Sequence, residues 1–225
     1  KEGRKWSGRM AGKKLGEISF KNEPLVSSQE KRPPIVVVLG HVDHGKTTLI
    51  SKIYEKDLTK KEFGGISQHI GAYQIKIQNP KFKIQNITFI DTPGHVAFSQ
   101  MRSRGAKVAD LAVLVVDITE GFQEQTDESL AVLKEFKTPF VIAATKIDKV
   151  PGWYPYPNSC FMESFKKQNE YVKEELEKEV YKIVCQLTER GFNSERFDRV
   201  ENFAKQIAIV PCSGITGEGI PELLI

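Results

Sequence analysis

Short runs of apolar residues recur along the chain, and polar or turn-forming residues bound each of them. These runs are continuous rather than alternating and are rich in Val, Ile and Ala. They therefore predict strands that are buried on both faces, as in a parallel sheet covered by helices. The predicted buried strands are residues 35–39, 111–117, 140–144 and 206–212.

Two further segments, residues 72–78 and 82–90, alternate apolar and polar side chains around an Asn-Pro turn, which predicts a hairpin with one solvated face. Between residues 160 and 190 the apolar positions mostly step by four, which predicts one amphipathic helix or two in tandem. Another helix is predicted to begin near Thr47. The polar, Lys-rich residues 55–71 are interpreted as a long loop, which is uncommon unless functional.

Strands that alternate with helices predict β-α-β units. The predicted fold class is therefore α/β: a doubly wound, mostly parallel sheet with one antiparallel edge strand and helices on both faces. One domain is expected over residues 33–225, after a segment, residues 1–32, that has no sustained apolar period. Only residues 220–225 of a last helix are present, so we expect this domain to be truncated at its C-terminal edge.

Charge changes the picture of the leading segment only. The 225 residues carry 33 Lys and Arg against 29 Asp and Glu. Nine of the basic and four of the acidic residues lie in residues 1–32, which leaves 24 basic and 25 acidic residues over 33–225. The basic segment is interpreted as a flexible, solvated tail or linker. The alternative is a contact with RNA phosphates.

Composition excludes several classes of protein. The three cysteines show no CxxC spacing, which argues against a disulfide framework or a structural zinc site and favours a reducing, cytoplasmic location. The apolar runs fall far short of the roughly 18 residues that a membrane span needs. No signal peptide is visible, because no apolar stretch follows the basic start.

The first chemical motif follows the first predicted strand. Residues 40–47 read GHVDHGKT and fit the phosphate-binding pattern G-x-x-x-x-G-K-[ST]. Such a loop turns backbone N–H groups toward phosphate oxygens, while the Lys supplies a positive charge and the Thr hydroxyl is a ligand for Mg²⁺. The predicted phosphate-binding residues are Val42, Asp43, His44, Gly45, Lys46, Thr47 and Thr48.

Two more motifs follow predicted strands, where parallel sheets bind their ligands. The sequence DTPG begins at Asp91, whose carboxylate is predicted to hold the Mg²⁺ shell together with Thr47, and the Gly94 N–H is predicted to contact a phosphate oxygen. The sequence TKID places a carboxylate at Asp148. This carboxylate matches the N1–H and 2-amino donors of guanine, donors that adenine lacks. The alternative for TKID is a solvated turn with a surface salt bridge.

The remaining groups of the predicted base site come from two loops. The Lys146 stem is expected to lie along the base plane, and Thr145 stands at the start of the same motif. After the last predicted strand, backbone N–H groups of a Ser-Gly-rich loop are expected to reach the guanine O6. The loop residues assigned to this contact are Ser213, Gly214 and Ile215.

The order of these four motifs resembles that of GTP-binding domains, and GHVDHGKTTL and DTPGH resemble translational GTPases. Segments similar to the initiation factor 2 / initiation factor 5B family are residues 64–72, 97–105 and 117–126. An insertion over residues 153–198 resembles the archaeal and eukaryotic branch of that family. The resemblance covers residues 33–225 and implies a P-loop GTPase fold.

The resemblance also implies roles for single residues. His95 matches the catalytic histidine that orients the attacking water, and Ser67 stands where the family has a Thr that ligates Mg²⁺. Asp43 matches an aspartate linked to a monovalent cation. Thr145 replaces the usual Asn, which puts the base contact and the link to the phosphate loop in question, and Gly214 replaces the usual Ala.

The function implied by the resemblance is a Mg²⁺-dependent GTPase that switches between GTP and GDP states within a translation initiation factor. Its expected partners are both ribosomal subunits, with initiator tRNA bound through domains outside this chain, and neither membrane nor DNA. The isolated domain is expected to be monomeric. Two alternatives stay open: a GTPase of the elongation or ribosome-assembly type, and a GTP-gated ribosome-binding module whose hydrolysis is incidental.

Overall fold

One mixed sheet organises the chain. The computed structural model describes residues 32–54, 71–79, 82–92 and 99–225. The strands found there are β1 (Ile35–Gly40), β2 (Gly71–Asn79), β3 (Phe82–Asp91), β4 (Leu111–Asp117), β5 (Phe140–Thr145), β6 (Ser194–Arg196) and β7 (Ile207–Pro211). The helices found there are α1 (Lys46–Tyr54), α2 (Ser99–Val108), α3 (Glu124–Phe136), α4 (Phe161–Lys167), α5 (Glu170–Glu189) and α6 (Ile220–Leu223).

The strand order across the sheet is β2-β3-β1-β4-β5-β7-β6. β2 lies at one edge and runs antiparallel to β3, whereas the other pairings are parallel. The predicted fold class, with one antiparallel edge strand, is confirmed. Because the parallel strands share one direction, the chain leaves β1, β3, β4, β5 and β7 at the same edge of the sheet, where α/β proteins bind their ligands.

The core explains why the central strands are continuous apolar runs. Successive side chains of a strand point to opposite faces. Leu114 and Val116 pack into one buried cluster with residues of α3 and α5, while Val113 and Val115 pack into a second cluster with residues of α1 and α6. Both faces of β4 are therefore buried, and the prediction that helices cover both sides of the sheet is confirmed.

The hairpin of β2 and β3 matches its alternating pattern. Its pairing runs from Gly71 opposite Asp91 to Asn79 opposite Phe82, with one irregularity between Ile77 and Asn79. The turn residues 80 and 81 lie outside the described part of the chain. β3 ends at Asp91, which pairs with Val38 of β1.

The amphipathic stretch between residues 160 and 190 forms two helices rather than one. The break falls at Gln168, whose backbone is extended and whose side-chain amide donates to the carbonyl oxygens of Tyr154 and Ser164. Asn169 then caps α5, because its side chain accepts a hydrogen bond from the Val172 N–H at 2.9 Å. No helix in the described ranges is both long and apolar enough to cross a membrane.

Candidate functional site

The loop between β1 and α1 depends on two glycines for different reasons. Gly40 has a φ of 144°, and a Cβ there would lie 2.3 Å from the Val115 carbonyl oxygen, so the close approach of β1 and β4 requires glycine. Gly45 has a φ of 89°, and a Cβ there would find its nearest neighbour, the Thr145 hydroxyl oxygen, at 4.0 Å. Glycine is therefore needed at position 45 for its positive φ rather than for lack of space, and there is room for a ligand beside it.

Lys46 opens α1 with its ammonium group turned toward the same loop. Its Nζ donates a hydrogen bond to the His41 carbonyl oxygen at 2.5 Å. Burial lowers the pKa of Lys46 to about 8, with a further lowering from Arg102 and an opposing effect of the Asp91 carboxylate. Among the described residues, the His41 carbonyl oxygen is the one hydrogen-bond partner of this buried ammonium group. Such a group is well suited to exchange that partner for a phosphate.

The two described residues predicted to hold Mg²⁺ are adjacent. The Thr47 hydroxyl donates a hydrogen bond to Asp91 Oδ2 at 2.9 Å, because the register between β1 and β3 sets Asp91 opposite Val38. A hydroxyl and a carboxylate oxygen are the ligands that Mg²⁺ prefers, so the donor set fits that ion. The other predicted residues of this region, Ser67, Gly94 and His95, lie outside the described residues.

Thr145, which replaces the usual Asn, makes a link to the phosphate loop. Its hydroxyl oxygen lies 2.6 Å from the His44 carbonyl oxygen and 3.2 Å from that of Val116. A hydroxyl has a single hydrogen to donate, and the shorter distance assigns it to His44. The hydroxyl therefore links the end of β5 to the phosphate loop.

Lys146 adopts a left-handed backbone (φ 64°), and its ammonium group lies 2.6 Å from Asp117 Oδ2 at the end of β4. The other carboxylate oxygen of Asp117 accepts hydrogen bonds from the backbone N–H and the hydroxyl of Thr119. Burial raises the pKa of Asp117, but the bonds from Lys146 and Thr119 outweigh it and leave the pKa below its ordinary value. The ionised Asp117 thus fixes the direction of the Lys146 side chain.

His44 does more than contribute its backbone. Its buried ring accepts a hydrogen bond at Nδ1 from the Asp117 backbone N–H (3.2 Å), so its proton is on Nε2, which faces Glu120 at 3.3 Å. Burial and the neighbouring His41 lower the pKa of His44 to about 4, which keeps the ring neutral. The sequence motif predicts only the loop, whereas these partners lie more than 70 residues further along the chain.

Asp148 lies in a single helical turn, Ile147–Lys149, directly after β5. The side chain of Ile147 is fully buried in the core, which holds this turn against the sheet. Asp148 Oδ1 is buried and accepts no hydrogen bond from the described residues. The interpretation as a solvated turn with a salt bridge does not fit that atom, whereas a ligand with two N–H donors does.

The loop after β7 is shaped by its own hydrogen bonds. The buried Ser213 hydroxyl oxygen accepts from the N–H groups of Ile215 and Thr216, both at 3.1 Å. A Cβ on Gly214 would lie 3.0 Å from the Leu49 backbone nitrogen, so the loop packs closely on the first turn of α1. We call residues 213–217 the base loop. Ile147 N–H donates to the Cys212 carbonyl oxygen, which places this loop beside the Asp148 turn.

Two residues outside the predicted motifs also contact or influence the phosphate loop. Gln125 Oε1, at the start of α3, accepts a hydrogen bond from the Val42 backbone N–H at 3.0 Å. The buried Arg102 of α2 pairs with Glu128 of α3 and lies close enough to affect Lys46. The exposed Asp43, with a φ of 61°, stands at the tip of the loop.

This constellation defines a class. A glycine-containing loop leads from a buried parallel strand into a helix, with Lys46 and Thr47 at the helix start and Asp91 on the neighbouring strand. These features define a P-loop nucleotide-binding domain.

Comparison with known proteins narrows the class to a family. The sequence profile of the elongation factor Tu GTP binding domain matches residues 31–225, and the chain belongs to that family of GTP-binding domains. It is 54% identical over 206 residues to a probable translation initiation factor IF-2 of Metallosphaera sedula, covering 86% of this chain and 34% of that protein. A probable IF-2 of Archaeoglobus fulgidus is 50% identical over 204 residues, with the same coverage.

Among solved structures, the chain is similar to GDP-bound aIF5B from Aeropyrum pernix, with a TM-score of 0.72 and 52% identity over 85% of this chain and 34% of that one. The fold is thus that of a P-loop GTPase, and the predicted resemblance to the initiation factor 2 / initiation factor 5B type is confirmed. The chain spans about a third of the length of the curated relatives it matches.

Proposed function

We propose that this chain is the GTP-hydrolysing switch domain of a cytoplasmic translation initiation factor that acts on both ribosomal subunits. The observation that carries the nucleotide assignment is the buried Oδ1 of Asp148, which accepts no hydrogen bond from the described part of the chain. This oxygen lies beside the base loop, at the same sheet edge as Lys46. The similarity to initiation factors supports the assignment to translation. Subunit joining and placement of initiator tRNA would involve parts of the factor beyond this chain.

In this proposal Asp148 selects the base. Its two carboxylate oxygens accept the N1–H and 2-amino hydrogens of guanine, while N–H groups of the base loop face O6. Adenine offers no donor at either position, so binding it would leave a buried carboxylate oxygen unpaired. A site built in this way rejects the wrong partner by roughly 10⁴-fold.

The phosphate end works by exchange of partners. Lys46 would leave the His41 carbonyl oxygen and donate to the β- and γ-phosphates, beside the N–H groups of residues 42–48. Thr47, Asp91 and Ser67 would hold Mg²⁺, which supplies neutralisation of charge on the phosphate oxygens when bound. Asp43 remains the residue assigned to a monovalent cation.

Hydrolysis in this proposal depends on His95 to orient the attacking water. Phosphoryl transfer asks mostly for positioning and electrostatic stabilisation. Lys46 and the backbone of the phosphate loop would supply the electrostatics. The ribosome would trigger the reaction by rearranging the loops that carry Ser67 and His95, so the isolated domain is expected to turn over slowly.

The test is GTP turnover by the domain with and without ribosomal subunits, for the wild type and for His95→Ala. We expect stimulation by ribosomes in the wild type and its loss in the variant, with GDP affinity unchanged. Tyr181→Ala, a change at an exposed side chain of α5, is the control and should behave as wild type. Equal stimulated rates for the wild type and His95→Ala would remove His95 from catalysis.

The alternative of a GTP-gated binding module is separated by a second readout. Subunit joining is measured with the intact factor carrying His95→Ala. If joining and factor release both proceed at wild-type rates without hydrolysis, the GTPase activity is incidental. Blocked release of the factor after joining would support a hydrolytic switch.

A further inference from the structure

A buried carboxylate outside the nucleotide motifs joins two segments of the chain. Glu218 directly follows the base loop, and its side chain is fully buried. Its Oε1 accepts hydrogen bonds from the Trp153 indole N–H at 3.3 Å and from the Tyr156 backbone N–H at 3.0 Å. Its Oε2 accepts from the Thr216 hydroxyl at 2.6 Å. One carboxylate thus bridges the base loop and residues 153–156.

Backbone hydrogen bonds strengthen the same contact. The Asn158 N–H donates to the Thr216 carbonyl oxygen at 2.9 Å, and the Gly219 N–H donates to the Ser159 carbonyl oxygen at 3.2 Å. The Ser213 N–H, within the loop, donates to the Glu218 carbonyl oxygen at 2.9 Å. Residues 153–159 therefore lie along the base loop and help to determine its shape.

Trp153 connects this contact to the helical insertion. Its ring is stacked with that of Phe161 in α4, with centroids 6.5 Å apart and planes 7° from parallel. The Arg196 guanidinium packs over the rings of Phe161 and Phe165 and pairs with Glu177 of α5. Because Arg196 ends β6, which pairs with β7, Trp153 rests on a packed cluster that is part of the main sheet.

Asp148 lies at the other end of the same short segment. The Val150 N–H donates to the Ile147 carbonyl oxygen, and the Trp153 N–H donates to that of Val150, both at 3.0 Å. These consecutive turns carry the chain from the guanine-selecting carboxylate to the indole that binds Glu218. The distance between Asp148 and the base loop is therefore bridged by Trp153 and Glu218.

The geometry points to Glu218 as a positioning residue for guanine selection, with Trp153 as its partner from the insertion. This inference rests on the guanine site proposed above. Glu218 acts through the base loop and the Asp148 segment rather than by contact with the base. It holds the O6-facing backbone at a fixed distance from the carboxylate that reads N1 and the 2-amino group.

The experiment measures the ratio of GDP to ADP affinity, because both nucleotides use the phosphate loop and only GDP uses both sides of the base site. Trp153→Phe and Thr216→Val each remove one donor to Glu218 and preserve most of the side-chain shape. We expect each to lower GDP affinity about fivefold, the usual effect of one hydrogen bond, with ADP affinity unchanged. The ratio then falls about fivefold in each variant.

Two further variants separate positioning from stability. Ile183→Val removes a buried methyl group of α5 in the hydrophobic core and should lower Tm while the GDP to ADP ratio stays at the wild-type value. Glu218→Gln retains an acceptor for Trp153 and Tyr156, whereas Glu218→Met has none. We expect Gln to preserve more of the ratio than Met.

The contradicting result is a wild-type ratio in both Trp153→Phe and Thr216→Val together with a lowered Tm, which would make the Glu218 cluster merely structural. A wild-type domain that binds GDP and ADP equally would overturn the guanine site itself, and this inference with it. Trp153→Phe and Thr216→Val decide the question even if the Glu218 variants fail to fold.

Discussion

The phosphate end and the base end of the site differ in how their polar groups are satisfied. At the phosphate end the protein groups form hydrogen bonds with one another: Lys46 donates to the His41 carbonyl oxygen, and Thr47 donates to Asp91. At the base end the loop is already held by Ser213 and Glu218, and Asp148 keeps a buried oxygen without a partner among the described residues.

This difference separates selection from switching. A preformed base loop loses little conformational entropy when the base binds, which favours a specific and constant contact. In the proposed function the phosphate end would have to break internal bonds before it accepted phosphate and Mg²⁺, so its state would depend on what is bound. In a switch, the first property identifies the nucleotide and the second reports its number of phosphates.

The largest expected effect on nucleotide affinity comes from a substitution at the base end. Asp148→Asn replaces an acceptor by a donor at the guanine 2-amino group, and we expect GDP affinity to fall about a thousandfold. Xanthosine diphosphate, which carries a carbonyl oxygen at that position, should bind the variant better than GDP does. Nucleotide titration by calorimetry measures both.

Asp127→Asn is the matched control, because that carboxylate pairs with Arg190 on the surface between α3 and α5. It should bind GDP as wild type does. A GDP preference retained by Asp148→Asn would show that another group reads the base.

The next largest effect on nucleotide affinity is expected from a substitution at the phosphate end. Lys46→Met removes the ammonium group but preserves an apolar stem of similar length. We expect affinity for GDP and for ADP to fall by the same factor, about 50-fold, because a charge-assisted hydrogen bond is lost that does not involve the base. If, in the same calorimetric titration, only GDP affinity fell, Lys46 would take part in base selection. That result would contradict the assignment of Lys46 to the phosphate end.

The pH dependence of GDP binding also tests the role of Lys46 at the phosphate end. Phosphate binds the protonated form of Lys46, whose pKa is about 8 in the nucleotide-free domain because of burial. Well below that pKa no proton is taken up on binding, whereas well above it binding requires one. The protonated fraction falls from about one half at pH 8 to about one eleventh at pH 9, so GDP affinity should decrease about sixfold over that interval. In Lys46→Met this decrease should disappear; an unchanged profile would assign it to another group.

The smallest expected effect concerns the link between the two ends. Thr145→Val removes the hydroxyl that donates to the His44 carbonyl oxygen, and we expect GDP affinity to fall about fivefold. Thr145→Ser keeps the hydroxyl and should bind nearly as wild type. Equal losses in Val and Ser variants, measured in parallel, would show that the methyl group matters rather than the hydrogen bond.

Local pattern was enough to predict most of the fold. The runs that form β1, β4 and β5 are apolar because both faces of those strands are buried. Burial on both faces requires consecutive apolar residues, which can be recognised in the sequence. β6 was not predicted, because Ser194–Arg196 has no apolar run and its pairing with β7 is set by the packing of the insertion. The pattern left one or two helices open, and the division into α4 and α5 falls at Gln168, whose side chain bonds the carbonyl oxygen of Tyr154, 14 residues earlier.

The candidate site divides in the same way. Lys46, Asp91 and Asp148 could be predicted as site residues because each belongs to a short motif at the end of a strand. The ring contacts of His44 and the bridge made by Glu218 join residues about 60 to 70 positions apart, and no local pattern records such contacts. Thr145 shows a third case, in which the motif departs from the usual residue but the structure supplies the link through a hydroxyl.

The most direct test is a crystal structure of the domain with GDP and Mg²⁺, set beside one without nucleotide. Lys46 should leave the His41 carbonyl oxygen for the phosphates, and Asp148 should accept the guanine donors. The Ser213 and Glu218 hydrogen bonds should be the same in both structures. A base loop that is rebuilt on binding, with Lys46 still bonded to His41, would contradict the separation of selection from switching.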